Sequence, residues 1–285
     1  MPKAYHEALK PMGNLGIKIS MGSMENPYVP MHWHETMEIL FCLNGNVTVH
    51  VGNEKYLLSR NQIIVFDSKE IHSIQSGTDL YMFLCMHVDK KQLSLYCQDL
   101  EFYKINCRPT QEDARKEIEY IKLCKLAREL TRSSIQNKAT NGLRTDGTAL
   151  LMLAKLIDHF SIYMPPTATS KQNQQNEIMR DVVKYVIEHF KEPISLDDVA
   201  SESGFSREYF CRFFKKYMGI SFLRYLNEVR ISQAGRLLIT TNMSVSEIMA
   251  ESGFTNQTLF NKLFKEIYGM TPRQVRDLQN QKTDS

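Results

Sequence analysis

The C-terminal part of this chain repeats itself, and that repeat limits the fold more than any other feature. The first copy runs from Ser195 to Gly219 and the second from Ser244 to Gly269. They align with a shift of about fifty residues, the mark of a duplicated architecture. Each copy reads as a capped short helix, a glycine turn, a second cap and a longer helix ending in glycine. That is the sequence form of a helix-turn-helix, whose second helix can enter a DNA major groove. Ser195, Ser206 and Ser244 are suited to N-caps, as is Thr255 or Asn256. Gly204 and Gly253 supply the left-handed turns.

Within the second helix of the first copy, Phe210, Phe213 and Phe214 form the inward set. Arg207, Glu208, Cys211 and Arg212 lie on the other side, near the turns that a recognition helix presents to base edges. Lys215 and Lys216 come later and suit phosphate contacts. The second copy places Leu259, Phe260, Leu263 and Phe264 inward. It leaves Gln257, Thr258, Asn261 and Lys262 as candidates for bases, with Lys265 beside them. Asn and Gln can pair with adenine, and Arg or Lys with guanine.

Between the copies, Ser221 to Thr241 reads as one helix. About twenty residues at 1.5 Å each give roughly 30 Å, close to the roughly 34 Å between successive major-groove sites on one face of DNA. Gly235 inside it costs about 1 kcal/mol relative to Ala, for no reason visible in the sequence. Thr271-Pro272 starts a last helix. Glu177 to Phe190 is an amphipathic helix ahead of the first copy.

The chain of 285 residues is long enough for two cores. A net charge of +3 is too small to argue for or against nucleic acid, so the placement of charge decides. No apolar run approaches a membrane span, and the N-terminus lacks the apolar core of a secretion signal. A cytoplasmic protein with no membrane partner is expected. Cys42, Cys85, Cys97, Cys107, Cys124 and Cys211 form no C-x-x-C pair and read as ordinary thiols.

The first half reads as short strands: Glu38 to Leu43, Val47 to Val51, Gln62 to Phe66 and Leu80 to Met86. Asn44-Gly45-Asn46 and Gly52-Asn53 are hairpin signals. From about Thr110 the period becomes helical. One helix over 112–132 places Ile118, Ile121, Leu123, Leu126 and Leu130 at mixed three- and four-residue intervals with charges between them, a polar loop follows over 131–146, and a second helix covers 148–163. The divisions expected are a barrel over 1–109, a helical dimerisation region over 110–164, a flexible linker over 165–176 and a DNA-binding domain over 177–285.

The C-terminal motifs resemble the AraC/XylS family of transcription regulators across about Glu177 to Arg276. They include S-x-x-x-V-A-x-x-x-G-F from Ser195 to Phe205 and F-K-K-x-x-G from Phe214 to Gly219. Gly253-Phe254, Phe260, Phe264-Lys265, Gly269, Thr271-Pro272 and Arg276 complete the match. The N-terminal His32-Trp33-His34 followed by Glu38 resembles the first cupin motif, and His72 stands near the place of its last histidine. The resemblance implies an α+β chain: a cupin-like β-barrel with flanking helices, then an all-α domain with two helix-turn-helix motifs joined by a long helix. It implies an activator that is not an enzyme and needs no cofactor. Its partners would be double-stranded DNA, a second copy of itself in a homodimer, RNA polymerase and a small-molecule effector.

His32, His34, Glu38, His72, Tyr81 and Phe83 are the candidate effector pocket, with His87 on the same strand face as the two aromatics. Sugars are a common effector class by the same resemblance, and no residue here selects one. No metal is expected, although His32, His34, Glu38 and His72 are the residues that would hold one. Trp33 should face away from the histidines. The rival readings are a metal-dependent cupin enzyme with a helical appendix and a ligand-independent regulator controlled by a partner protein.

Overall fold

In the computed structural model, the apolar runs of the N-terminal half pair into two antiparallel sheets. The structure describes residues 7–8, 16–25, 28–76, 80–110, 113–136, 139–164 and 171–283. The strands are β1 (Glu7–Ala8), β2 (Ile17–Glu25), β3 (Tyr28–His32), β4 (Met37–Asn44), β5 (Asn46–Val51), β6 (Glu54–Ser59), β7 (Ile63–Phe66), β8 (His72–Ser76) and β9 (Leu80–Val88). One sheet runs β1-β2-β9-β4-β7 and the other β3-β8-β5-β6. A further pair joins β10 (Tyr103–Ile105) to β11 (Ser161–Tyr163).

Around β4 and β7 the first sheet is buried on both faces, which is why Ile39–Cys42 and Ile63–Phe66 run apolar without alternation. Leu40, Cys42, Ile64, Phe66, Tyr81 and Phe83 meet Val47, Val49 and Leu58 of the second sheet. Ile39, Phe41, Ile63, Val65, Leu84 and Met86 meet two helices on the opposite side. These are α1 (Ala114–Ile135) and α2 (Asn141–Phe160).

Two expectations are corrected. Asn44-Gly45-Asn46 is no hairpin: Gly45, at φ 80°, carries the chain from one sheet to the other, whereas Gly52-Asn53 does close the β5–β6 hairpin. The polar run 131–146 is mostly helix. Thr131, Ser133 and Ser134 return their hydroxyls to the carbonyls of Ala127 and Leu130, so polar residues continue the helix without unpaired groups. Ile118 and Ile121 point outward, at 55% and 45% exposure, because Tyr120, Leu123, Ala127 and Leu130 form the stripe on the sheet.

The C-terminal half consists of α3 (Lys171–His189), α4 (Leu196–Glu202), α5 (Arg207–Met218), α6 (Phe222–Thr240), α7 (Val245–Glu251), α8 (Gln257–Tyr268) and α9 (Pro272–Thr283). Helix α3 begins inside the stretch expected as linker. Asn176 belongs to it, with its side-chain oxygen accepting from the Tyr217 hydroxyl at 2.5 Å; residues 165–170 lie outside the described part. Ser195, Ser206, Ser221, Ser244 and Asn256 each cap the helix that follows, Ser244 in a reciprocal box with Glu247.

Gly235 now has a reason. A Cβ there would come within 2.7 Å of Tyr268 Cζ, so the glycine lets α6 and α8 approach. The Tyr268 ring is held in turn by Phe264 and Tyr28. Gly235→Ala should lower stability: overpacking costs about 1–3 kcal/mol, which exceeds the propensity gain of about 1 kcal/mol. An unchanged urea midpoint would contradict this close approach.

Candidate functional site

The two readers present their candidate residues as the repeat requires. Arg207, Glu208, Cys211, Arg212, Lys215 and Lys216 of α5 are exposed, as are Gln257, Thr258, Lys262 and Lys265 of α8; Asn261 is half-buried. Phe210, Phe213 and Phe214 are buried beneath α5, and Phe260, Leu263 and Phe264 beneath α8. Leu259 departs from expectation: it is 39% exposed and occupies the position of Tyr209, which is 42% exposed. Both stand beside the candidate base readers, where an apolar surface suits a thymine methyl. Arg207 is engaged by Asp197 at 2.8 Å.

Between the readers, α6 is 19 residues long, about 28 Å at 1.5 Å per residue. It is held near its N-terminus and at its middle. Arg230 donates to the carbonyls of Phe190 and Glu192 at 2.7 and 2.8 Å. Arg224 bridges Glu228 and Glu266, tying α6 to α8.

In the barrel, His32, His34, Glu38 and His72 come together, with their ligand atoms all within 4.8 Å of one another. They do not share one strand, as an unbroken extended segment would require. β3 ends at His32 in one sheet and β4 begins at Met37 in the other, so the cluster closes the gap between sheets. Each histidine is oriented by a backbone carbonyl: Nδ1 of His32, His34 and His72 bonds the oxygens of Pro30, Thr36 and Glu70 at 3.0, 2.7 and 2.9 Å. A carbonyl only accepts, so Nδ1 carries the hydrogen and Nε2 faces the cluster.

His34 Nε2 donates to Glu38 Oε2 at 2.8 Å. His72 Nε2 is buried, 3.6 Å from the same oxygen, with no hydrogen-bond partner among the described residues. Burial and the neighbouring His72 lower the His32 pKa to about 4. Burial opposes charge on Glu38 too. There the bond from His34 and the rings of His72 and His87 prevail and hold its pKa well below the usual carboxylate range. The His34 pKa is raised: its bond to Glu38 outweighs burial.

Tyr81 and Phe83 stack on each other in the barrel core, further along the same face of β9. On that face Cys85 reaches Glu38 Oε1 at 3.4 Å and His87 Nε2 at 3.3 Å. The strand alternation already marked His87; Cys85 was missed because a cysteine among apolar neighbours reads as core. A cavity of about 450 Å³ opens onto His34, Thr36 and His87.

The barrel also touches the DNA-binding half. Met31 is buried in the core of the first reader, and its carbonyl accepts from the Tyr225 hydroxyl of α6 at 2.8 Å. Trp33 faces away from the histidines and donates its indole N–H to the Arg180 carbonyl at 3.0 Å. Asn53, in the β5–β6 turn, donates to the Lys216 carbonyl at 2.6 Å. A cleft of about 1030 Å³ separates the halves elsewhere, and Tyr209, Arg212 and Lys216 form part of its wall.

Comparison with known proteins agrees with this architecture. Residues 19–153 match the AraC-like ligand binding domain and residues 199–277 a helix-turn-helix domain. YdeC of Bacillus subtilis (strain 168), named as an HTH-type transcriptional regulator, is 23% identical over 90% of this chain and 88% of its own. The regulatory protein PocR of Salmonella typhimurium is 34% identical over 36% of this chain and 34% of its own. A structure of ToxT from Vibrio cholerae covers 91% of this chain and 97% of its own, with 15% identity and a TM-score of 0.49. No helix among the described residues is long and apolar enough to cross a membrane. A ligand-binding barrel followed by twin helix-turn-helix units, each matched by its own family profile, places the chain in the AraC family of effector-controlled, DNA-binding transcription regulators.

Proposed function

We propose that α5 and α8 read adjacent major grooves of one operator, with the barrel setting whether both can engage. One observation carries this reading: two capped helices, each with an exposed polar face, pack on the two halves of one helix of 19 residues, α5 with Phe222 to Val229 and α8 with Ile231 to Leu238. Arg212 and Lys262 occupy equivalent positions in the two helices and are assigned to base edges. Arg207, Glu208, Cys211, Gln257, Thr258 and Asn261 flank them; Lys215, Lys216 and Lys265 meet phosphates. His32, His34, Glu38 and His72 form the effector pocket, and Tyr81 and Phe83 are its apolar floor.

The chain divides into a barrel, a helical hairpin and a DNA-binding domain. Exposed Ile118, Ile121, Leu143 and Leu151 on α1 and α2 favour that hairpin as the surface of a homodimer. Light scattering of the full chain at micromolar concentration tests the pairing, and monomer alone would reject it. The family resemblance supplies the remaining roles, an activator that contacts RNA polymerase.

Arg212→Ala should weaken binding to a selected operator by about 1–3 kcal/mol and relax specificity at one base pair. Lys216→Ala should instead lower affinity across sequences and reduce the salt slope by about one. Operator affinity unchanged by Arg212→Ala in a salt-controlled titration would reject α5 as a base reader.

A further inference from the structure

The first reader carries two stripes of side chains, and they face different things. Glu208, Cys211, Arg212 and Lys215 follow one another at three- and four-residue steps, which sets them on one side of α5. Tyr209, Arg212, Phe213 and Lys216 form the next stripe, about 100° further round the helix. All four of these line the cleft between the halves. Arg212 belongs to both stripes.

The second stripe is a flank that DNA needs. An α-helix is about 10–12 Å across with its side chains and the major groove is about 12 Å wide. A helix seated in the groove therefore has a phosphate strand along each flank. On one flank of α5 the barrel is already present. Asn53, in the turn between β5 and β6, donates its side-chain amide to the Lys216 carbonyl at 2.6 Å. That carbonyl lies in the last turn of α5, where carbonyls lack a donor within the helix. The hairpin thus satisfies a group that the helix leaves open. Away from α5 the cleft is lined by five carboxylates and four cations, so it offers a phosphate strand no net attraction.

The second reader is not covered in this way. Its matching residues, Leu259, Lys262, Leu263 and Glu266, take no part in the cleft among the described residues. Helix α8 meets the barrel at its last residue, where Tyr268 abuts Tyr28. Gln257 to Lys262 lie in the first half of that helix.

We propose that the β5–β6 hairpin is an internal competitor for DNA. Seated against Lys216, it holds the first reader out of the groove, so α8 engages an operator first and α5 follows only when the hairpin lets go. This rests on the reading of α5 and α8 as the two DNA readers. Asn53, Glu54 and Lys55 at the hairpin tip are exposed, so the tip can withdraw while Val47, Val49 and Leu58 stay packed in the barrel. The latch is one exposed hydrogen bond, whose modest net contribution suits a contact that must open. Whatever draws the hairpin back, an effector in the barrel included, converts binding through one reader into binding through two.

The test compares the full-length protein with its Asn53→Ala variant, a change confined to an exposed turn, on an operator selected by the unaltered protein. Hydroxyl-radical footprinting at fixed salt reads the two half-sites separately during titration. Arg212→Ala and Lys262→Ala identify which half-site belongs to α5 and which to α8. The unaltered protein should protect the α8 half-site at a lower concentration than the α5 half-site. Asn53→Ala should raise affinity at the α5 half-site by about two- to tenfold, the equilibrium equivalent of one net hydrogen bond. On an operator whose α5 half-site is scrambled, Asn53→Ala should change nothing.

Unchanged or weaker binding of Asn53→Ala at the α5 half-site overturns the latch; weaker binding would mean that the hairpin holds α5 in the pose DNA requires. An equal gain on the scrambled operator overturns it too, because the substitution would then act elsewhere. Protection of both half-sites at one concentration by the unaltered protein overturns the order of engagement. Should neither Arg212→Ala nor Lys262→Ala alter the footprint, the assignment of α5 and α8 as readers fails, and the latch falls with it.

Discussion

Gly253→Ala should destabilise the DNA-binding half by about 2–5 kcal/mol, while Gly204→Ala at the matching turn of the other reader should cost only about 1–2 kcal/mol. Both glycines have left-handed backbones, at φ +79° and +72°, so both substitutions carry the cost of placing a Cβ there. They differ in their surroundings. Around Gly204 nothing among the described residues lies within 4 Å of an added Cβ. At Gly253 that carbon would sit 2.7 Å from the Phe190 carbonyl oxygen and 3.0 Å from that of Lys191. These are backbone atoms at the end of α3, and Arg230 already holds the first of them. They cannot turn aside as a side chain would, so α3 must part from the second reader. Denaturant midpoints for the two variants provide the comparison. Equal losses would mean that the joint between α3 and the second turn carries no load. The operator affinity of Gly253→Ala should fall too, since α8 then leaves its angle to α6.

The repeat made this half legible because capping and glycine turns are local chemistry. Ser206, Ser221, Ser244 and Gly219 act as their residue types dictate. What the sequence withheld was long-range. Gly235 reads as a defect until Tyr268 is brought across it. The short strands β3, β6 and β8 carry too few apolar residues to announce themselves, and their pairing comes from sheet register. His32, His34 and Glu38 were visible as a pattern. That their Nε2 atoms converge depends on the break between β3 and β4 and on carbonyls from three separate segments, which no spacing rule encodes. Trp33 was expected to look away from the pocket, and it does; its partner at Arg180 lies far along the chain.

The readers also differ in what their cores join, and this sets the last expectation. Phe210 and Phe214 share a buried cluster with Met31 and Ile71 of the barrel, so the first reader is packed continuously with the sensor. Phe260 and Phe264 belong to a cluster built within the C-terminal half alone, with Ile231, Leu238 and Val275. Truncating a fully buried phenylalanine costs about 3–5 kcal/mol through lost transfer energy and the cavity left behind. Phe260→Ala should therefore loosen α8 and abolish binding at the half-site it reads, and should disturb the barrel less than Phe210→Ala does, because α8 meets β3 through the edge contact of Tyr268 with Tyr28 and not through a shared buried cluster. Phe210→Ala should cost a similar amount and disturb Trp33 as well, because Phe210 belongs to the buried cluster that includes Met31 and has Trp33 packed against it. Protection of barrel amides in hydrogen exchange separates the two cases. If Phe260→Ala exposed β3 as much as Phe210→Ala did, the Tyr28–Tyr268 contact would couple the second reader to the sensor as tightly as the shared core couples the first.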